Sequence, residues 1–160
     1  MFRTPSHLSE QSRVTLCDEL NARLCDCCDL FSQIKVACWN IKGPQFSAFH
    51  PLFETFAQRM MLSTDCIAER CIMLGGVARG TVRHVAKHSV VPEYPQDTVR
   101  DMEHVRLLAE RFDKCLVGMR ASRETCIKLN DQDSIEMCNM VIRDMERDCC
   151  FLLAHLDGQR

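Results

Sequence analysis

Apolar residues recur every three or four positions through most of the chain, and this spacing sets out four long helices. From Ser9 onward, Leu16, Leu20, Leu24, Cys27, Phe31, Ile34 and Cys38 form one such series, which ends at Lys42-Gly43-Pro44. Ser47 is placed to cap a second helix, with Pro51 in about its first turn, and Gly75-Gly76 stops that helix after Leu74. Residues 77–97 mix Gly80, Pro92 and Pro95 with the short apolar stretch VRHVA, which predicts a long crossover holding one small helix. A third long helix is expected from about Thr98 to Leu129, with Met102, Val105, Leu108, Phe112, Cys115 and Met119 facing inward. Asn130-Asp131-Gln132 breaks it, and Asp133 with Glu136 makes a capping-box pattern for a fourth. There Ile135, Cys138, Ile142, Met145, Cys149, Leu152 and Leu156 alternate steps of three and four, the stripe of a bundle seam.

Short connections on either side of one long crossover predict an all-α, ferritin-like four-helix bundle. A length of 160 residues fits a single domain over 1–160, with residues 1–8 as a short N-terminal tail. The net charge of −2 supplies no global field for nucleic acid or anionic lipid. MFRTPSHLSE lacks the apolar core of a secretory signal, and no stretch approaches the roughly 20 apolar residues of a membrane span. A soluble, cytoplasmic protein is therefore expected, and its twelve cysteines read as thiols rather than disulfides. Cys25 to Cys28, and Cys149-Cys150, sit in helical segments and do not have the spacing of zinc knuckles.

Candidate chemistry concentrates in the second helix. At 3.6 residues per turn His50, Glu54, Asp65 and Glu69 fall at roughly 0°, 40°, 60° and 100°, on one face. Glu54 and Asp65 are nevertheless about 16 Å apart along the axis, too far to share one ion. A two-fold-related copy of the same helix, running antiparallel, would bring His50 and Glu54 of one subunit beside Asp65 and Glu69 of the other. Charges spaced in this way also suit a plain solvated helix face. His84 and His88, four apart in the crossover, suit either a metal pair or surface histidines.

The stretch Ala37-Cys38-Trp39-Asn40-Ile41-Lys42-Gly43-Pro44-Gln45-Phe46, followed by His50-Pro51-Leu52-Phe53-Glu54, Asp65-Cys66-Ile67-Ala68-Glu69-Arg70 and Leu74-Gly75-Gly76, resembles the Dps family (DNA-binding protein from starved cells). The family pattern HWNxxGxxFxxxHxxxDxF, then DxxAERxxxLGG, runs ungapped over about forty residues. A weaker likeness continues through Tyr94-Pro95-Gln96-Asp97 and the RDxE of the fourth helix. The resemblance implies a hollow dodecamer built from two-fold dimers. It also implies a ferroxidase that oxidises Fe(II) with hydrogen peroxide, or dioxygen, and stores the ferric product. His50, Glu54, Asp65 and Glu69 would be its catalytic iron ligands.

Two positions depart from the motif. Glu54 stands where the family has Asp, a longer arm carrying the same carboxylate. Cys38 stands where it has its first His, and a thiolate there would favour zinc or copper over iron. Cys38 could equally be a small apolar filler. Trp39 matches an aromatic residue near the family's iron centre, or else is a buried anchor of the first helix. Asp131, Asp133 and Glu136 match the acidic rim of a three-fold pore that admits iron, with helix capping as the plainer role. Family members that bind DNA use a tail rich in Lys and Arg. Here the first eight residues hold only Arg3 and the closing DGQR only Arg160, so strong DNA binding by the tails is not expected.

Overall fold

The computed structural model describes residues 1–158; Arg160, the basic residue of the closing DGQR, lies outside the described residues. Five helices follow one another: α1 (Glu10–Asn40), α2 (Phe46–Met73), α3 (Val82–His88), α4 (Asp101–Lys128) and α5 (Gln132–Asp157). Among the described residues there is no strand, only an isolated bridge between Lys42 and Arg100 that ties the end of α1 to the start of α4. α1 pairs with α2 and α4 with α5, while α3 lies in the crossover against α1. The apolar series of the sequence point inward as expected, with Phe31, Met102, Ile135 and Leu156 half-buried. Phe49, Phe53 and Phe56 run down the inner face of α2, and Phe56 meets Phe112 of α4 edge to face at 5.8 Å.

α2 and α4 both end in backbone motifs. Gly75, at φ 85°, lets its own N–H and that of Gly76 reach back to the Ile72 and Cys71 carbonyls at 2.8 and 3.0 Å. Asn130, at φ 55°, does the same for the Ile127 and Cys126 carbonyls at the end of α4.

Two expected caps are corrected. α2 begins at Phe46, ahead of Ser47, because a carboxylate from another helix does the capping: Asp101 Oδ2 accepts the Gln45 N–H at 2.9 Å. This leaves Pro51 six residues into the helix, where the Ser47 carbonyl loses its amide donor. At α5 the Asn130 turn closes so tightly that the helix starts at Gln132. Asp131 then holds the cap position, while Asp133 and Glu136 lie inside the helix and form no capping box.

Polar side chains of α1 hold the crossover. Asn21 donates to the Val77 carbonyl and accepts from Arg79 N–H, at 3.0 and 2.8 Å. Asp26 accepts the Val90 N–H at 3.0 Å, and Gln33 donates to the Pro92 carbonyl at 3.0 Å. Arg111 of α4 completes the series, donating to Gln33 Oε1 at 2.6 Å and to the Glu93 carbonyl at 2.8 Å. These contacts pair backbone groups of the crossover where it lies against the helices. The N-terminal residues also fold back onto the helices, and Phe2 N–H donates to the Gly75 carbonyl at 2.7 Å.

Candidate metal centre

The last two turns of α1 and the third turn of α2 bring Lys35, Cys38 and Glu54 together. Lys35 Nζ donates to both oxygens of the Glu54 carboxylate, at 2.8 and 2.7 Å. The buried Cys38 thiol donates to Glu54 Oε2 at 3.2 Å and lies 3.7 Å from the His50 carbonyl. His50, one turn before Glu54, is half-buried with its ring against Phe46.

Charge follows from these contacts. The Lys35 ammonium, and after it the Cys38 S–H, hold the Glu54 carboxyl below its ordinary value. Burial first, and then the bond to Glu54, push the Cys38 thiol up to about 11. At neutral pH the pair is therefore a carboxylate and a protonated thiol. A soft-metal site would need the thiolate, and this arrangement works against one, so the zinc or copper reading of Cys38 gains no support. The apolar-filler reading is incomplete as well, because the thiol orients a carboxylate.

Asp65 and Glu69 lie exposed, further along α2. Asp65 is on the α1 side, where its charge adds to burial in raising the Cys28 thiol. Glu54 and Asp65 thus both flank the α1–α2 groove, Glu54 beside Lys35 and Asp65 two turns of α1 away beside Cys28. Among the described residues of one chain, no three His, Cys, Asp or Glu side chains converge on a point that could hold a metal. The structure brings together Cys38 and Glu54 with His50 at their side, and leaves Asp65 and Glu69 apart from them.

Trp39 is corrected from the buried-anchor reading: its side chain is 71% exposed, with Lys35 Nζ 6.0 Å from the ring centroid. Asp131 is buried, and both its oxygens are taken by Arg70 Nη2 at 2.8 Å, with Ser134 Oγ on one of them. That carboxylate joins α2 to the α4–α5 turn and is not free to line a pore. Asp133 and Glu136 remain exposed. His84 and His88 stack at 4.0 Å on α3, and burial with the neighbouring positive charges lowers His84. Lys35 was missed from sequence; its signal was its place one turn before Cys38, on the same face.

Residues 17–160 match a family model described as a ferritin-like domain. The "DNA protection during starvation protein" of Agrobacterium fabrum is 31% identical over 154 residues, covering 96% of this chain and 95% of the relative. Among solved structures, DpsC from Streptomyces coelicolor superposes with a TM-score of 0.92 at 28% identity, covering 96% of this chain and 90% of its own. The Dps protein of Vibrio cholerae, described as one of a broad superfamily of ferritin-like diiron-carboxylate proteins, reaches 0.91 at 22% identity with 98% of each chain covered; at that identity it shows the fold alone.

Proposed function

Because the chain belongs to the Dps family of ferritin-like proteins, we propose that it oxidises ferrous iron with hydrogen peroxide at a site shared between two subunits and stores the ferric product. Iron is the substrate. Two ferrous ions each give one electron to hydrogen peroxide, whose O–O bond breaks, and with two protons it leaves as two waters. His50 and Glu54 hold the metal from one subunit, and Asp65 and Glu69 from its neighbour.

The observation that carries this reading is the half-site at Glu54. Its carboxylate is kept ionised, lies at the surface one helical turn from an imidazole, and meets, among the described residues of its own chain, no cluster of three such groups that would complete a metal centre. Oxygen and imidazole donors suit iron. Further along α2 the surface also favours assembly: Met61 of α2 and Val82 of α3 are exposed, Val82 to 84%, and line a cavity of about 550 Å³ between α1, α2 and α3, and Leu62 is exposed as well. So much apolar surface suits contact with a second copy, and a dodecameric cage of such dimers is part of the proposal. The cytoplasm, which supplies ferrous iron and keeps thiols reduced, is its setting. Asp133 and Glu136 are proposed for the pore through which iron enters.

A second reading, a cage with slow ferroxidation, is favoured by the Lys35 contact, since iron must displace an ammonium to reach Glu54. The relative's name points to DNA protection. Here we propose that the tails contribute little to DNA binding, Arg3 being the only Lys or Arg among the first eight residues.

Ferric absorbance, followed after Fe(II) and hydrogen peroxide are added to the purified assembly and to a Cys38→His variant, separates the two. Fast mineralisation by the native protein supports the first reading. Mineralisation only in the variant supports the second and sinks the first. A stable monomer on native mass measurement sinks the shared site.

A further inference from the structure

We propose that Cys17 of α1 and Cys71 of α2 form a reversible dithiol–disulfide pair, oxidised by hydrogen peroxide that reaches Cys17 through the cavity beneath the N-terminal segment. This is independent of the metal centre and uses none of its residues.

The two cysteines meet across the helix pair, where the Asn21 amide donates both to the Cys17 carbonyl at 2.9 Å and to the Cys71 sulfur. Cys17 Sγ also lies 3.6 Å from the Cys71 carbonyl, and Asn21 Nδ2 donates to Cys71 Sγ at 3.5 Å. Gly76 makes the approach possible, because a Cβ there would stand 2.5 Å from Cys17 Sγ. Cys17 lines a cavity of about 460 Å³ together with Phe2, Asn21, Gly75, Gly76 and Arg79. Cys71 is fully buried behind it.

Access and acidity give the two sulfurs different roles. Burial raises both thiols, Cys71 to about 12; at Cys17 the neighbouring Cys71 thiol opposes the rise, Asp18 adds to it, and the charge of Arg13 opposes it. Cys17 is the attacking sulfur. It gives up its proton and attacks one peroxide oxygen; the O–O bond breaks, leaving a sulfenic acid and a hydroxide that takes the proton to become water. The Cys71 sulfur then displaces the sulfenic hydroxyl, which leaves with the Cys71 proton as a second water, and the S–S bond forms. Two thiols are oxidised and one peroxide is reduced to two waters. The bond fastens α1 to the Gly75-Gly76 turn under the N-terminal residues.

The test uses the native, metal-free assembly with a chelator, treated with hydrogen peroxide, then unfolded, alkylated and mapped by mass spectrometry. The exposed Cys150 reports that the oxidant has acted. A Cys17–Cys71 linked peptide, two hydrogens lighter and abolished by dithiothreitol, is expected, and it should form faster as pH rises. In Cys71→Ser, Cys17 should instead be trapped as a sulfenic acid by dimedone. The proposal is overturned if Cys150 is oxidised while Cys17 and Cys71 are both still alkylated, or if either is linked to a different cysteine.

Discussion

Lys35 spans the Glu54 carboxylate, with Nζ 2.8 and 2.7 Å from its two oxygens. An ammonium so placed competes with any cation for the same lone pairs. Lys35→Gln removes the competitor and leaves the Cys38 thiol as the remaining donor to Glu54. Initial Fe(II) oxidation should then rise several-fold at neutral pH, with the gain shrinking as ferrous iron approaches saturation. Stopped-flow ferric absorbance measures it. An unchanged rate would mean that iron does not pass through Glu54.

Asp101 caps α2 from the first turn of α4, and Gly43 is what lets it in. A Cβ at Gly43 would stand 2.3 Å from Asp101 Oδ2, and its φ of 148° already disfavours a side chain. Gly43→Ala should cost about 2 kcal/mol, more than the roughly 1 kcal/mol of losing the cap itself in Asp101→Ala. Urea unfolding of the two variants checks the order. Equal losses would mean that Gly43 matters only through the cap.

Helix positions and the crossover were legible in the sequence because burial leaves a period, and Leu16 to Cys38 keep that period without a break. The caps were not. Ser47 and Asp133 have local capping chemistry, yet Asp101 and the Asn130 turn took over both roles from outside the local sequence. Within the site, His50 and Glu54 could be placed from motif and spacing. Lys35 could not, since a lysine on an amphipathic helix looks the same whether it meets solvent or a carboxylate 19 residues away on the next helix. Trp39 misled for a related reason: an aromatic residue marks a contact surface without saying whether its own chain supplies the contact.

Asp131 and Asp133 are two residues apart and should behave as opposites. Asp131 is buried against Arg70, so Arg70→Ala strands a carboxylate in the interior and should destabilise by about 3 kcal/mol. Asp133 meets the same Arg70 only at 3.4 Å and from an exposed position, so Asp133→Asn should change stability by no more than about 0.5 kcal/mol. If Asp133 guides iron inward, that variant slows mineralisation while its thermal midpoint holds. Equal loss of stability in both variants would remove the distinction.

His104 is fully buried, with Nδ1 2.7 Å from the Tyr94 hydroxyl and Nε2 without a partner among the described residues. Burial lowers its affinity for a proton, against the opposing charges of Glu103 and Asp101. The unfolded chain, with an imidazole near the ordinary value of about 6.5, therefore binds the proton more readily than the folded one. Stability from this residue is present in full above that value and is lost as pH falls below it toward the folded value. The slope in that window is at most about 1.4 kcal/mol per pH unit for one proton. His104→Gln keeps an acceptor for Tyr94 but cannot titrate, so its denaturation midpoint should fall less steeply between pH 7 and 5 than the native protein's. The difference between the two curves isolates His104 from the other histidines, and parallel curves would show that the folded protein protonates this imidazole as readily as the unfolded chain does.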